Sequence, residues 1–136
     1  MKISDNFRIY PTDIGLFTSM FDYSLKKTIF TNELDRDHGY LRGGVYEALI
    51  AEMLYKNGHE NLFFRKAEQG SFEIEFLLDD GVSVIPIEVK SGNSRSRSLD
   101  NALKKEEIYC GYKLIEGNAG KDGKKITLPL YMAMFM

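Results

Sequence analysis

Residues that build zinc sites and disulfides are scarce in this chain. Its 136 residues hold one cysteine, Cys110, and two histidines, His38 and His59. A single thiol forms no internal disulfide, and no Cys/His cluster has zinc-site spacing, so a reducing cytoplasm without structural zinc is the simplest setting. The histidines lie far from each other and from any serine or cysteine nucleophile motif, and both read as loop residues. Long apolar runs are missing too. Nothing approaches the roughly 18 residues of a membrane span, and no charged-then-apolar leader follows Met1, so neither spanning nor secretion is expected. Eighteen Lys and Arg against 20 Asp and Glu leave a net charge of −2. There is then no broad basic field, and any hold on nucleic acid must come from a local patch. The stretch Gly117-Asn118-Ala119-Gly120-Lys121-Asp122-Gly123-Lys124-Lys125 is rich in glycine and lysine but lacks the Gly-Lys-Ser/Thr ending of a nucleotide loop. It reads as a turn between strands.

What is present centres on a hairpin. Phe72-Glu73-Ile74-Glu75-Phe76-Leu77-Leu78 and Ile85-Pro86-Ile87-Glu88-Val89-Lys90 are strand-like runs joined across Asp79-Asp80-Gly81. Side chains alternate along a strand, which puts Phe72, Ile74, Phe76 and Leu78 on one face. Ile85, Ile87 and Val89 reach the same core only if even positions of the first run face as odd positions of the second, since a slip of one residue turns a whole set to water. A two-residue Asp80-Gly81 turn or a four-residue loop gives that parity. Glu73, Glu75, Glu88 and Lys90 then share the opposite face. Pro86 inside the second run implies an edge strand or a bulge.

Carboxylates crowded on one face repel unless a cation lies among them, and acidic oxygens suit magnesium or manganese. In that arrangement a cation lies among the three carboxylates, while Lys90 stays outside its shell to orient an attacking water and offset charge on a phosphorane. The alternative is a solvated hairpin face on which Glu and Lys alternate because it is wet. A helix over 44–57, with Gly58 as its stop, adds one acid. Glu47 falls in the apolar sector of Val45, Tyr46, Leu49, Ile50, Met53 and Leu54, so it needs a partner. That partner is either Arg42, Arg65 or Lys90 in a salt bridge, or the same metal site.

The order of these elements carries a resemblance. A helix with Glu47, strands near 62–65 and at Glu75, a strand ending Ile87-Glu88-Val89-Lys90-Ser91-Gly92, a helix from Leu99 and a strand over 112–115 resemble the core of PD-(D/E)XK nuclease-like domains. More narrowly, Phe7-Arg8-Ile9-Tyr10-Pro11-Thr12-Asp13-Ile14-Gly15-Leu16, the Gly44-Val45-Tyr46-Glu47 helix start and the two hairpin strands resemble an uncharacterised domain that follows the ATPase module in a group of prokaryotic AAA-type ATPases. The resemblance implies a restriction-endonuclease-like α/β fold, a mixed sheet flanked by helices with an N-terminal strand-helix addition. It implies an ATPase module as partner in cis or in trans. It also makes Glu47, Glu75, Glu88 and Lys90 the catalytic set, with Glu75 and Glu88 as ligands of magnesium or manganese and with glutamate at 75 where the superfamily usually has aspartate.

At 136 residues and 43% hydrophobic, the chain has the length for one domain with one core, centred on about residues 43–116. A basic run, Arg95 and Arg97 followed by Lys104 and Lys105, follows the candidate site. It reads either as a nucleic-acid patch or as a solvated surface. A strand over 7–10, a helix capped by Asp13 that turns Ile14, Leu16, Phe17, Met20 and Phe21 to the core, and loops over 31–42 and 91–98 complete the expected architecture. The ending Tyr131-Met132-Ala133-Met134-Phe135-Met136 either packs on the sheet or forms a contact surface. Three functions follow: magnesium-dependent hydrolysis of DNA, a silent DNA- or protein-binding module of the same fold, or a homodimerising domain that uses its apolar C-terminal segment.

Overall fold

A computed structural model describes residues 7–31, 39–66, 72–92 and 94–136, without the side chains of residues 30, 39 and 40. In chain order the elements are helices α1 (Ile14–Ser19), α2 (Tyr23–Thr31) and α3 (Gly39–Lys56), strands β1 (Phe63–Lys66), β2 (Glu73–Asp79) and β3 (Val84–Lys90), helix α4 (Arg97–Ala102), and strands β4 (Gly111–Ile115), β5 (Gly120–Asp122) and β6 (Lys125–Pro129). A 3₁₀ helix over Leu130–Phe135 closes the described chain.

The strands form one mixed sheet in the order β1-β2-β3-β4-β6-β5. The β3/β4 and β4/β6 pairs are parallel and the others antiparallel. Helix α3 and the 3₁₀ helix cover one face, where Ile50, Ala51, Leu54, Phe76, Leu78, Ile87, Val89, Leu114 and Ala133 form the main core. On the other face α4 and the turn after it enclose a smaller cluster of Ile74, Leu99, Ala102 and Ile108. This is the expected mixed α/β sheet between helices. The sheet continues to residue 129, beyond the core expected over 43–116.

The hairpin closes as its apolar pattern requires. Phe76 pairs with Ile87 and Leu78 with Ile85. Asp80 builds the four-residue loop by accepting from Val82 N at 2.9 Å and Ser83 N at 2.7 Å, and Gly81 takes the left-handed conformation there with φ 83°.

Alternation fails at one place. Phe72 and Ile74 belong to the α4-side cluster, whereas Phe76 and Leu78 face α3. The β1/β2 register shifts between the Phe63↔Leu77 and Arg65↔Ile74 pairs, so β2 carries one extra residue, and a bulge of this kind turns the side chains beyond it to the opposite layer. The expected single apolar face of the first run is therefore two half-faces. Pro86 is buried in the central strand β3, neither at an edge nor at the bulge. The parallel ladder to β4 starts one residue later, at Ile87↔Tyr112, so the missing N–H breaks no pair in it.

Other expectations shift at the ends. Residues 7–13 form no strand; their hold on the domain is through side chains. Asp13 does cap α1, accepting from Leu16 N at 2.7 Å, yet α1 buries none of its residues. With Leu16 69% and Met20 79% exposed, this short helix does not deliver its apolar residues to the core. Helix α2, which was not expected, does bury Ile29. Helix α3 begins before Gly44 and takes in Arg42, the last residue of the expected loop over 31–42. Arg42 Nε donates to Tyr46 Oη one turn on at 2.8 Å, an i,i+4 contact that supports a helix weakened by Gly43 and Gly44. His38 and most of the loop expected over 31–42 lie outside the described residues. Residues 120–122, expected within a turn, pair with β6 as a short strand.

Candidate functional site

The bulge in β2 builds the site. The β2/β3 ladder stops at Phe76↔Ile87, while β3 stays paired to β4 through Lys90↔Ile115. At the end of the β2/β3 ladder Glu75 accepts from the backbone N–H of Val89 at 3.3 Å. The shift brings its carboxylate towards the charged end of β3. Lys90 Nζ lies 3.0 Å from Glu88 Oε1 and 3.8 Å from Glu75 Oε1. Three of the four expected catalytic residues therefore converge.

Burial sets the chemistry here. Glu88 is 1% exposed, and its Oε2 is a buried atom with no hydrogen-bond partner. Burial lifts the Glu75 carboxyl to about 7 against the opposing charge of Lys90. Burial also works against the Lys90 ammonium, but Glu75 and Glu88 outweigh it and hold Lys90 above the ordinary lysine range. Two hard carboxylate donors, one with an unclaimed buried oxygen, fit magnesium or manganese in donor type. Among the described residues no group of three or more His, Cys, Asp and Glu is placed to hold a metal, so water and backbone oxygen would supply the remaining ligands.

Glu47 joins a different network. Its carboxylate accepts from Arg8 Nη1 and from Tyr10 Oη, and the same guanidinium donates through Nη2 to Glu73. Burial and the Glu47 contact push the Tyr10 phenol above its ordinary range. Arg8 also lies 4.6 Å over the Phe64 ring. The partner of Glu47 is thus none of the three cations expected. Arg42 binds Glu116, Arg65 stands over Phe72, and Lys90 serves the hairpin acids. Glu73, placed by pattern beside Glu75, goes to Arg8 because it precedes the bulge. A cleft of about 730 Å³ opens beside this network, walled by Tyr10, Phe17, Val45 and Ala48.

The chain matches the family described as a domain of unknown function, DUF4143, over residues 42–132. It belongs to that family. The DUF4143 region runs from α3 into the 3₁₀ helix and contains Glu47, Glu75, Glu88 and Lys90. Arg8 and Tyr10, which hold Glu47, lie outside it. No curated protein and no solved structure matched the chain. Among the described residues no helix is long and apolar enough to cross a membrane.

Arg95, Arg97, Lys104 and Lys105 are exposed. Lys104 donates to Asn101 at 2.9 Å and Lys105 lies 3.7 Å from Glu107. Helix α4 takes in Arg97 but ends before Lys104, which borders a cleft shared with Asp100 and Asp122. The charge there is mixed rather than uniformly positive. Sequence reasoning passed over Arg8 as the partner of Glu47. It also passed over Lys113 and Ser96, buried polar groups on the α4 side of the sheet. The alternation of β4 could have revealed Lys113, since Tyr112 and Leu114 face the main core and a lysine between them points to the other layer.

Proposed function

We propose that this DUF4143 chain is a nuclease-like module of restriction-endonuclease-like architecture, hydrolysing DNA phosphodiester bonds with magnesium or manganese beside an AAA-type ATPase module in cis or in trans. The observation that carries this reading is the convergence of Glu75, Glu88 and Lys90 at the bulged end of β2, with one buried carboxylate oxygen unclaimed. Glu75 and Glu88 would hold the ion, whose charge neutralises phosphate oxygens and acidifies bound water. Lys90, kept charged by both acids, would orient the attacking water and offset negative charge on the phosphorane. Glu47 would act from α3 only through the Arg8–Glu73 bridge.

Plasmid cleavage in magnesium or manganese tests this directly. Wild type should cut, whereas Lys90→Ala and Glu88→Ala should not. Either ion should raise the melting temperature of wild type but not of Glu88→Ala. Equal, negligible cleavage by all three proteins sinks the catalytic reading.

A second reading is a silent DNA- or protein-binding module of this fold. It draws on Lys90, which already balances both hairpin acids, and on Arg8, which occupies Glu47. Retained DNA binding without cleavage would favour it. Self-association is a third, drawing on Tyr131 and Phe135, which are 58% and 73% exposed on the 3₁₀ helix. Solution mass with and without the residues after Leu130 tests it.

A further inference from the structure

Lys113 is a buried charge that the proposed reaction does not use. It is 7% exposed, and its ammonium donates to the Ser94 carbonyl at 2.7 Å. Among the described residues no carboxylate lies within ion-pair distance of it, although Lys90 and Lys125 on neighbouring strands are both paired with acids. An ammonium has three N–H groups. Burying one with a single neutral acceptor is costly unless something else completes its shell.

Two further groups in this layer are short of partners. Glu88 faces Lys113 across the β3/β4 ladder, and its Oε2 has no partner. Ser96, 3% exposed, lies two residues from the carbonyl that Lys113 grips, and its Oγ has none either. Ser96 stands at the N-cap of α4, yet its hydroxyl makes no capping bond. Among the described residues these are the two buried side-chain oxygens or nitrogens without a partner. Both fall in the layer of Lys113, between the middle of the sheet and the segment leading into α4. Buried polar atoms left open in this way mark a place for a bound group.

We infer that Lys113 and Ser96 form a phosphate subsite, binding a non-bridging oxygen of the phosphodiester whose cation Glu75 and Glu88 hold. The inference rests on the proposed reading. Lys113 supplies charge and spare N–H groups, and Ser96 supplies a hydroxyl donor. Both side chains are nearly covered, Lys113 at 7% and Ser96 at 3% exposed, so the subsite admits a single phosphoryl oxygen rather than a whole phosphate. The open oxygen of Glu88 repels that anion unless a cation lies between, so the ion and the phosphate enter together. Lys90 is left for the water.

The probe is a short duplex oligodeoxynucleotide titrated calorimetrically into the whole chain, with calcium replacing magnesium to keep the duplex uncut. Lys113→Met should weaken binding by about tenfold or more, as expected for losing a hydrogen bond to a charged group. It should also reduce the slope of log affinity against log salt by about one, the signature of a lost phosphate contact. Ser96→Ala should weaken binding several-fold while melting at the wild-type temperature, since its hydroxyl has no partner to lose. That variant keeps the test sharp if Lys113→Met folds poorly. Wild-type affinity and salt slope in both variants would overturn the subsite, as would no oligonucleotide binding at all. Plasmid left uncut while duplex binding still depends on Lys113 and Ser96 would end the hydrolysis reading and leave the subsite standing. Cleavage unchanged in both variants would do the reverse.

Discussion

Glu75 should make this domain less stable at neutral pH than at mildly acidic pH, the opposite of what a salt-bridged surface carboxylate does. In the unfolded chain its carboxyl titrates near the ordinary 4.5, and in the fold burial lifts it to about 7. Between those values the folded state keeps a proton that the unfolded state has released. Stability therefore falls as pH rises through that window and stays low above it. Lys90 does not mask the trend, because its own raised value places its loss above the lysine range. With 13% of the Glu75 side chain exposed, solvent screening is slight. A shift from 4.5 to about 7 is worth about 3 kcal/mol. For a chain of this length that corresponds to about 10 °C in melting temperature. Thermal unfolding of wild type and Glu75→Gln, followed by circular dichroism from about pH 5 to about pH 8, isolates the contribution, since other groups titrate alike in both proteins. The difference should open across the window and close on adding saturating magnesium, which gives the ionised carboxylate a partner. Parallel pH profiles for the two proteins would refute the burial argument.

Removing the Arg8 guanidinium leaves Glu47 and Glu73 as neighbouring carboxylates without their shared cation, so Arg8→Ala should cost about 2 kcal/mol in urea unfolding. Gly111→Ala should cost about 1–3 kcal/mol, because a Cβ there would stand 2.9 Å from Leu99 Cδ1 and 3.0 Å from both Leu103 Cδ2 and Pro86 Cγ. Leu54→Ala, at a fully buried position of the main core, should cost about 2–5 kcal/mol through the cavity it leaves. The Leu54→Ala loss should appear equally at pH 5 and pH 8, unlike that of Glu75→Gln.

Much of the hairpin was legible because period-two hydrophobicity fixes register so tightly. Phe76, Leu78, Ile85 and Ile87 leave one parity, and the loop obeys it. The pattern could not reveal that Ile74 belongs to another layer. A bulge is set by what β1 and α4 offer on either side, and Ile74 reads equally well on both faces. Convergence of Glu75, Glu88 and Lys90 was legible from the hairpin parity, which sets Glu75 on the face that the Glu-x-Lys spacing gives to Glu88 and Lys90. The fate of Glu47 was not, since its partner Arg8 lies 39 residues away in a segment without regular structure. Helix α1 misled for another reason: amphipathic spacing shows which face a helix would bury, but not whether a surface is there to receive it.

The two rims of the sheet govern how other molecules can approach. One rim is β1, four residues long and ending in exposed Arg65 and Lys66; the other is β5, three exposed residues including Lys121 and Asp122. A foreign strand laid along either would gain few backbone bonds and meet charge at once. Growth by strand addition, the route that leads long bare edges into fibrils, is thereby discouraged, and a binding molecule does better against the helical layers.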